Sequence, residues 1–529
     1  MKKFRIISIV LLILCFALLL VACNSVKDNF SSKNYKENVN PCFTTATRLD
    51  SYYGFTLSSQ NEQLVVFSKD SQKVVYNIEK GTVLGTYTDT TTEPIMNYQI
   101  TLFSNETFGT EIEVPYYLVS QATQVGTTVQ YEYTLYDSLG QYQGVYHSNE
   151  PVAANSLVEN RKDFVIFYNN AYRVKDDGSM EKLTNRTDIS RAIPNLDKQC
   201  GDYYYHKDGK TLEIYNKSID LVYTYYFPDY AQNEIYMPLN NGNIFIQYTV
   251  EKLDDDKKYT YTDYNAAGAL KKYDLVQEVI NIKKGKVKSV KNKYYILDGS
   301  SKASDASIFN GLKKSIENVA MGYEIKDKKI IRTADPKVFT MNNNGKVQKV
   351  INDDVQFIFF EAISKDRIVF FDADWNTSLY DYSGKKIGDM AHVQATTKKF
   401  IVGQNNIYDF NLNRIYTLEY SGYTYYGRMG ENVILSDVDG AKYLYTGTSE
   451  VKKIAEATDS FTTTYGNTYK VGVYDSTNYT YTYKYYTCEG TEIAGISSTT
   501  AISQVGHSDN AMLVRYNDAD NKPVYYVVK

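Results

Sequence analysis

Leu135-Tyr136-Asp137-Ser138-Leu139-Gly140-Gln141-Tyr142-Gln143-Gly144-Val145-Tyr146 is the stretch on which the fold turns. An apolar residue, a tyrosine and an aspartate end one strand, a glycine turn follows, and a second strand begins. Asp or Asn together with Gly supplies the backbone geometry that a tight hairpin needs. The arrangement recurs at Val75-Tyr76-Asn77 before Val83-Leu84 and at Ile214-Tyr215-Asn216 before Leu221-Val222-Tyr223. It returns at Leu379-Tyr380-Asp381 with Gly384 before Ile387, and at Ile407-Tyr408-Asp409 before Ile415-Tyr416. Weaker copies centre on Val174, Tyr264, Met341, Tyr445 and Tyr486, and a partial one ends the chain at Val524-Tyr525-Tyr526-Val527-Val528. Val174 and Tyr215, like Met341 and Tyr380, stand about 40 residues apart, the length of a propeller blade.

Within a copy the side chains alternate, as in Tyr479-Thr480-Tyr481-Thr482-Tyr483-Lys484-Tyr485, which places Tyr on one face of a strand and Thr or Lys on the other. A unit of three or four such strands cannot bury both faces alone, so neighbours must stack, and closure protects the edges. The expected fold is all-β: a β-propeller over residues 46–529 built of three- or four-stranded antiparallel blades. The copies outnumber the usual four to eight blades, which leaves one large ring or two tandem rings. An internal boundary or insertion is expected at 270–335, where the copies are widely spaced. That interval also carries the one good helical pattern, Ser307 to Met321, with Ile308, Leu312, Ile316 and Val319 on one face. Ser51-Tyr52-Tyr53-Gly54-Phe55-Thr56-Leu57 precedes the first copy and is expected to complete the last blade.

Composition agrees. The 529 residues are 43% hydrophobic and 23% charged with a net charge of −4, which excludes a disordered chain and gives no sign of a nucleic-acid partner. Tyr is a strand former with an apolar body and a polar tip, and the chain has 53 Tyr against one Trp.

Lys2, Lys3 and Arg5 precede an uncharged apolar run from Ile6 to Ala22, shorter than the roughly 20 residues of a membrane span. It ends in Leu20-Val21-Ala22-Cys23, which resembles the lipobox of bacterial lipoproteins. The resemblance implies cleavage of a signal peptide, residues 1–22, and attachment of lipid to Cys23, whose acyl chains would hold the protein to a membrane. Residues 24–45 are polar and without period, so 23–45 is expected to be a lipidated tether spanning about 25 Å as a flexible coil. Once Cys15 leaves with the signal peptide and Cys23 is lipidated, Cys42, Cys200 and Cys488 remain, enough for one disulfide and a leftover thiol. Buried structural thiols are the plainer reading. No CxxC spacing points to redox or zinc chemistry.

A search for chemistry gives little. The chain has no GxSxG, HExxH or Walker loop. His147, His392 and His507 fall in segments taken to link repeats, where they could gather on one face, while His206 stands apart. Asp372-Ala373-Asp374-Trp375-Asn376 has the opening spacing of a calcium loop, but Thr377 and Ser383 occupy the places that need Gly and Glu. Asp437-Val438-Asp439-Gly440 and Asp518-Ala519-Asp520-Asn521 occupy comparable turns, where Asp is favoured for bonding to its own backbone. Lys283, Lys284, Lys286, Lys288, Lys291 and Lys293 crowd one stretch without an acid; they suit an anionic surface or, more simply, the guarding of a strand edge. Tyr203-Tyr204-Tyr205, Tyr223 with Tyr225-Tyr226, Tyr259 with Tyr261, and Tyr423 with Tyr425-Tyr426 cannot all be interior, and exposed Tyr binds peptides and sugars alike.

In layout the repeat resembles WD40 and quinoprotein-like propellers. It lacks the Trp-Asp ending of the former, since Trp375 precedes Asn376, and the Trp in each repeat of the latter, which argues against a quinone cofactor. It also resembles, in layout only, the lipoprotein factor that assists assembly of outer-membrane barrels. The expectation is therefore an extracytoplasmic protein held to the cell membrane through Cys23. It would act as a binding or scaffold module for an envelope protein or glycan, with no metal, cofactor or catalytic residue assigned. The alternative is a glycan hydrolase or lyase using channel carboxylates, which would need a pair about 5–10 Å apart.

Overall fold

The structure, a computed structural model, describes residues 42–107, 113–175, 177–183, 196–200, 202–239, 242–251, 261–264, 270–297, 318–330, 336–350, 359–364, 367–372, 376–381, 384–391, 393–397, 399–418, 421–448, 450–508 and 510–529. The signal segment, Cys23, His392 and most of the expected helix lie outside them. Asn318–Met321, the end of that helix, open the strand Asn318–Lys326 instead.

Among the described residues nine antiparallel four-stranded sheets and one ten-stranded sheet follow one another, and with the ten-stranded sheet counted as two they are the eleven blades of a β-propeller. They fall into two compact units. One comprises Asp197–Lys398 with Phe410–Asn413; the other comprises Val39–Leu196, Lys399–Asp409 and Arg414–Lys529.

Six full blades make up most of the second unit, numbered here in chain order. Blade 1 is Thr56–Gln60, Leu64–Lys69, Gln72–Asn77 and Thr82–Thr88. Blade 2 is Ile95–Glu106, Glu113–Val125, Thr128–Tyr136 and Tyr142–Ser148. Blade 3 is Val158–Arg161, Phe164–Phe167, Asn170–Val174 and Met180–Lys182, preceded by the short helix Ala154–Leu157. Blade 4 is Thr424–Met429, Asn432–Ser436, Lys442–Tyr445 and Lys452–Ala455. Blade 5 is Ser460–Thr464, Thr468–Asp475, Thr480–Tyr486 and Glu492–Ser498. Blade 6 is Ser503–Ser508, Ala511–Asn517 and Pro523–Val528, and takes its fourth strand, Ala46–Arg48, from the other end of the chain.

Two-residue alternation builds the core between blades. Leu64 and Val66 pack toward Tyr117 and Val119 of blade 2, whereas Val65 and Phe67 on the same strand pack toward Leu513, Tyr525 and Val527 of blade 6. Blade 2 meets blade 3 through Tyr116, Leu135, Phe167 and Tyr172. Blades 4 and 5 meet through Ile434, Leu444 and Tyr469, and blades 5 and 6 through Tyr485, Ile496 and Met512. Tyr is therefore a core residue here. Tyr116, Tyr117, Tyr172, Tyr469, Tyr485 and Tyr525 are fully buried, and Tyr117 and Tyr469 stack on the tyrosines directly opposite, Tyr136 and Tyr486, with centroids 5.1 Å apart in both pairs.

The repeated apolar-Tyr-Asx motif has one structural meaning. In all five strong copies the pairing of the third and fourth strands shifts register between the apolar residue and the tyrosine, at Val75/Tyr76, Leu135/Tyr136, Ile214/Tyr215, Leu379/Tyr380 and, where Asn406–Tyr408 pairs with Arg414–Thr417, at Ile407/Tyr408. That shift is a bulge, which twists the strand as it leaves the sheet. The Asx beside it then holds the turn. Asp137 Oδ1 accepts from the N–H of Leu139 and Gln141 at 3.0 and 2.9 Å, and Asn216 Oδ1 accepts from Ser218 and Asp220, both at 2.9 Å.

The closing strand differs from the expected one. Asp50–Tyr52 form a 3-10 turn and Thr56–Gln60 begin blade 1, so Ser51–Leu57 completes no other blade. Tyr52 instead stacks on Phe67 at 4.4 Å, filling the space between blades 1 and 6. Ala46–Arg48 takes the closing role because the residues before it are fixed beside the chain's end. Cys42 is disulfide-bonded to Cys488, Phe43 is buried with its N–H bonded to Gly466 O, and Thr44 and Thr45 donate to Lys529 O. Cys42–Thr45, the end of the segment read as tether, is thus docked on the body.

In the first unit, Lys198–Cys200, Tyr203–Asp208, Thr211–Asn216 and Leu221–Tyr226 form one blade, and Phe359–Ser364, Arg367–Phe371, Asn376–Asp381 and Lys386–Ala391 another. Between them in sequence lies a ten-stranded sheet from Ala231–Pro238 to Val347–Val350, to which the described parts of the interval 270–335 contribute the strands Leu270–Asn281, Lys286–Ser289, Tyr294–Ile296, Asn318–Lys326 and Lys329–Ile330.

Candidate functional site

Turn chemistry divides the second unit into two ends. In an antiparallel blade the turns from strand 1 to 2 and from 3 to 4 lie at one end, and the turn from 2 to 3 lies at the other. The former are stitched together between blades. Asn77 Nδ2 donates to Ser138 O at 2.9 Å, Ser138 N to Gly178 O at 3.3 Å, Gly430 N to Asn467 Oδ1 at 3.0 Å, Asn432 Nδ2 to Cys488 O at 2.8 Å, and His507 N to Glu62 O at 2.6 Å. The disulfide lies at this end too.

The opposite end carries the exposed tips. The 2-to-3 turns and the strand end beside one of them present Val438 (91% exposed), Tyr479 (80%), Tyr168 (51%) and, at the end of Glu113–Val125, Val125 (61%), from blades 4, 5, 3 and 2. Blades 6 and 1 present Asp520 and Asp70, both exposed. Tyr479 and Tyr168 hold left-handed backbones, φ +55° and +52°. Gly or Asn occupies such positions at least cost, because a larger side chain crowds the following carbonyl. Tyr168 is partly compensated by Tyr146, whose ring centroid lies 4.4 Å away. Among the described residues no ring contact or hydrogen bond holds the Tyr479 side chain. Beneath it Tyr474 and Tyr481 lie 5.1 Å apart and Val473 is exposed, so the hairpin ends in an aromatic cluster.

Blade 4 adds a polar surround. Lys442 Nζ sits 4.4 Å above the half-exposed Tyr426 ring, and Tyr423 lies 4.8 Å from Tyr443. Desolvation pushes the Asp437 carboxyl up, but the bonds it accepts from the Tyr443 hydroxyl and from the N–H of Ala441, Gly440 and Asp439 outweigh this and hold it below the usual range. Asp518 is held low by the Tyr53 hydroxyl at 2.5 Å and by the N–H of Lys522 and Asp520. Both aspartates face their own turns, and among the described residues no group of three or more His, Cys, Asp or Glu could hold a metal. Asn376 N likewise donates to Asp372 Oδ1 at 2.8 Å; residues 373–375 are outside the description.

The histidines do not lie where expected. His147 is in the fourth strand of blade 2 beside Glu132, and His507 is in the first strand of blade 6 against Tyr465; neither sits in a linking segment. Burial raises the Asp137 carboxyl, yet its oxygens accept from Leu139, Gln141, Gln143 and Met180, so it holds a turn. Of the tyrosine clusters, Tyr204 and Tyr205 are buried while Tyr226 and Tyr426 are exposed; the Tyr259 and Tyr261 side chains are not described. Tyr168 stands outside the tyrosine clusters of the sequence, and Tyr479, which continues an alternating strand pattern, lies in a turn instead. The signal for both is a tyrosine adjoining Asn, in Tyr168-Asn169 and Asn478-Tyr479, at a turn position that favours Gly or Asn.

No family model matches the chain, and no curated protein sequence matches it. Similar solved structures include BamB from Moraxella catarrhalis, at 11% identity over 70% of this chain and 95% of that one, with a TM-score of 0.23. A eukaryotic initiation factor is similar at 8% identity over 83% and 97%, TM-score 0.27. The C-terminal WD40 domain of Sif2 is similar at 9% identity over 92% and 99%, TM-score 0.19. No role passes from them to this chain at such scores.

Proposed function

We propose that this protein is a lipid-anchored, extracytoplasmic binding module that engages a cell-envelope protein with the 2-to-3 end of the second unit. Tyr479 carries the reading: a strained, exposed tyrosine that no ring contact or hydrogen bond holds among the described residues points to a use other than packing. Rigid blades hold the tips in place, and Tyr offers a large contact area at low entropic cost. Asp70, Asp439 and Asp520 around the tips favour a partner with basic as well as apolar side chains. The disulfide supports an oxidising compartment, in keeping with the export signal and the Cys23 anchor.

The test places a photo-crosslinking residue at position 479, or at Lys80 on the stitched end, of the full chain in intact cells. A discrete protein adduct at 479 and none at 80 is expected. No adduct at 479, or the same adducts at both positions, would overturn the reading. Cys23→Ala is expected to release the chain from the membrane fraction.

A further inference from the structure

The lysine stretch of the first unit follows a hairpin turn and is held to its sheet at several points. Lys283 and Lys284 lie in the 3-10 turn Ile282–Lys284, pinned by buried Ile282 and closed by Gly285 at φ +59°. The strand Lys286–Ser289 follows, exposed at every position and paired on one side with Leu270–Asn281. Lys291 and Lys293 flank Asn292, which donates to Gly345 O at 2.9 Å and accepts from Val347 N at 2.9 Å. Two buried glutamines fasten the hairpin to the sheet. Gln277 accepts from Asn292 N and donates to Tyr294 O and to Gln247 Oε1, and Gln247 exchanges bonds with both backbone groups of Ile296.

All six lysines are exposed, and none forms an ion pair among the described residues. Several lysines elsewhere are matched to acids, as in Lys73–Asp89 at 2.8 Å, Lys217–Asp202 at 2.9 Å and Lys484–Glu492 at 2.9 Å, and no other stretch crowds six unmatched lysines into eleven residues among the described residues. Asp202, held low by Lys217 first and then by Lys283, is committed to Lys217. Guarding a sheet edge accounts for Lys286 and Lys288 on the edge strand. It does not account for Lys283, Lys284, Lys291 and Lys293, which lie off that strand.

We propose that this hairpin rests on the anionic phosphate headgroups of the membrane that carries the anchor. The stretch contains no Arg fork for bidentate recognition and no aromatic ring for base stacking. Point charges on flexible stems suit a diffuse negative surface, at about 1 kcal/mol per lysine near it. The proposal rests on the anchored reading, since the lipid on Cys23 keeps the chain beside such headgroups.

The full-length protein is reconstituted into vesicles of phosphatidylcholine alone or mixed with phosphatidylglycerol, treated with an amine-acylating reagent and mapped by mass spectrometry. Acylation of Lys283–Lys293 is expected to fall several-fold in the anionic vesicles and to recover at high salt, with Lys69 and Lys80 unchanged. Lys286→Gln with Lys288→Gln is expected to restore acylation of the remaining four. Equal labelling in both vesicles, or protection by soluble polyphosphate but not by the anionic bilayer, would overturn the proposal. The same digests report the mass of the Cys23 peptide. Lipid on Cys23 with unprotected lysines defeats the hairpin proposal alone; protected lysines without lipid defeat the anchor alone.

Discussion

Cys42 and Cys488, 446 residues apart in the chain, are joined by a disulfide with Cα atoms 5.9 Å apart. Beside it Phe43 lies so close to Gly466 that a Cβ added there would meet the ring at 1.9 Å. Together they hold the N-terminal strap against blade 5, so that Ala46–Arg48 can complete blade 6.

Removing the disulfide is expected to loosen this strap. Cys42→Ser should cost about 2–4 kcal/mol, lower Tm and admit protease before Ala46. Gly466→Ala should give the same cleavage with the disulfide intact, because the methyl group displaces the Phe43 ring. Limited proteolysis with N-terminal sequencing checks both.

At the other end, Tyr479→Asn should gain stability while losing binding. A residue suited to the left-handed backbone should raise stability by about 0.5–1 kcal/mol. A crosslinker at Val438 should meanwhile capture less partner. Denaturant melts and the crosslinking assay read the two effects; a destabilised variant would mean that the ring serves the fold.

Acid should weaken the turns. Asp518 and Asp475 are held below the usual carboxylate range by the hydrogen bonds they accept, first among them those from Tyr53 and Asn478. A depressed folded pKa gives stability that is present above about pH 4 and lost as pH falls through the folded value. Asp518→Asn should therefore melt below the parent at neutral pH, with the gap narrowing under acid. Tm measured against pH decides it.

Alkali should unfold the core. Burial pushes the Tyr172 hydroxyl up to about 12 and drives those of Tyr116 and Tyr117 higher still. Raised folded pKa values give stability that is full below about pH 10 and lost as pH rises through them. Ultraviolet titration should show exposed tyrosines ionising first, then a second step coinciding with loss of near-ultraviolet circular dichroism.

Much of the fold was legible because it is local. A bulge followed by an Asx-held turn involves a handful of neighbouring residues, so Leu135-Tyr136-Asp137 and its copies record it directly. The exposed tips were harder to read. Tyr479 continues a run of alternating tyrosines, and only its place in the turn, with φ positive, separates it from Tyr481 and Tyr485, which pack. His147 and His507 are the next-to-last residues of the strands Tyr142–Ser148 and Ser503–Ser508, where a polar strand end and a linking segment have the same sequence pattern.

By itself the sequence determined most of the strands, their alternation, the turns and the repeat length, since hydrogen bonds and side-chain faces within one blade are set by residues close in the chain. Tertiary structure alone decided which segment closes blade 6. Ser51–Leu57 has the stronger strand pattern, but Tyr52 packs on Phe67, while Ala46-Thr47-Arg48, with little pattern of its own, lies beside Tyr526–Val528 because Cys42 and Phe43 fix it there. A contact across the length of the chain leaves no local periodicity; it depends on where both ends already lie.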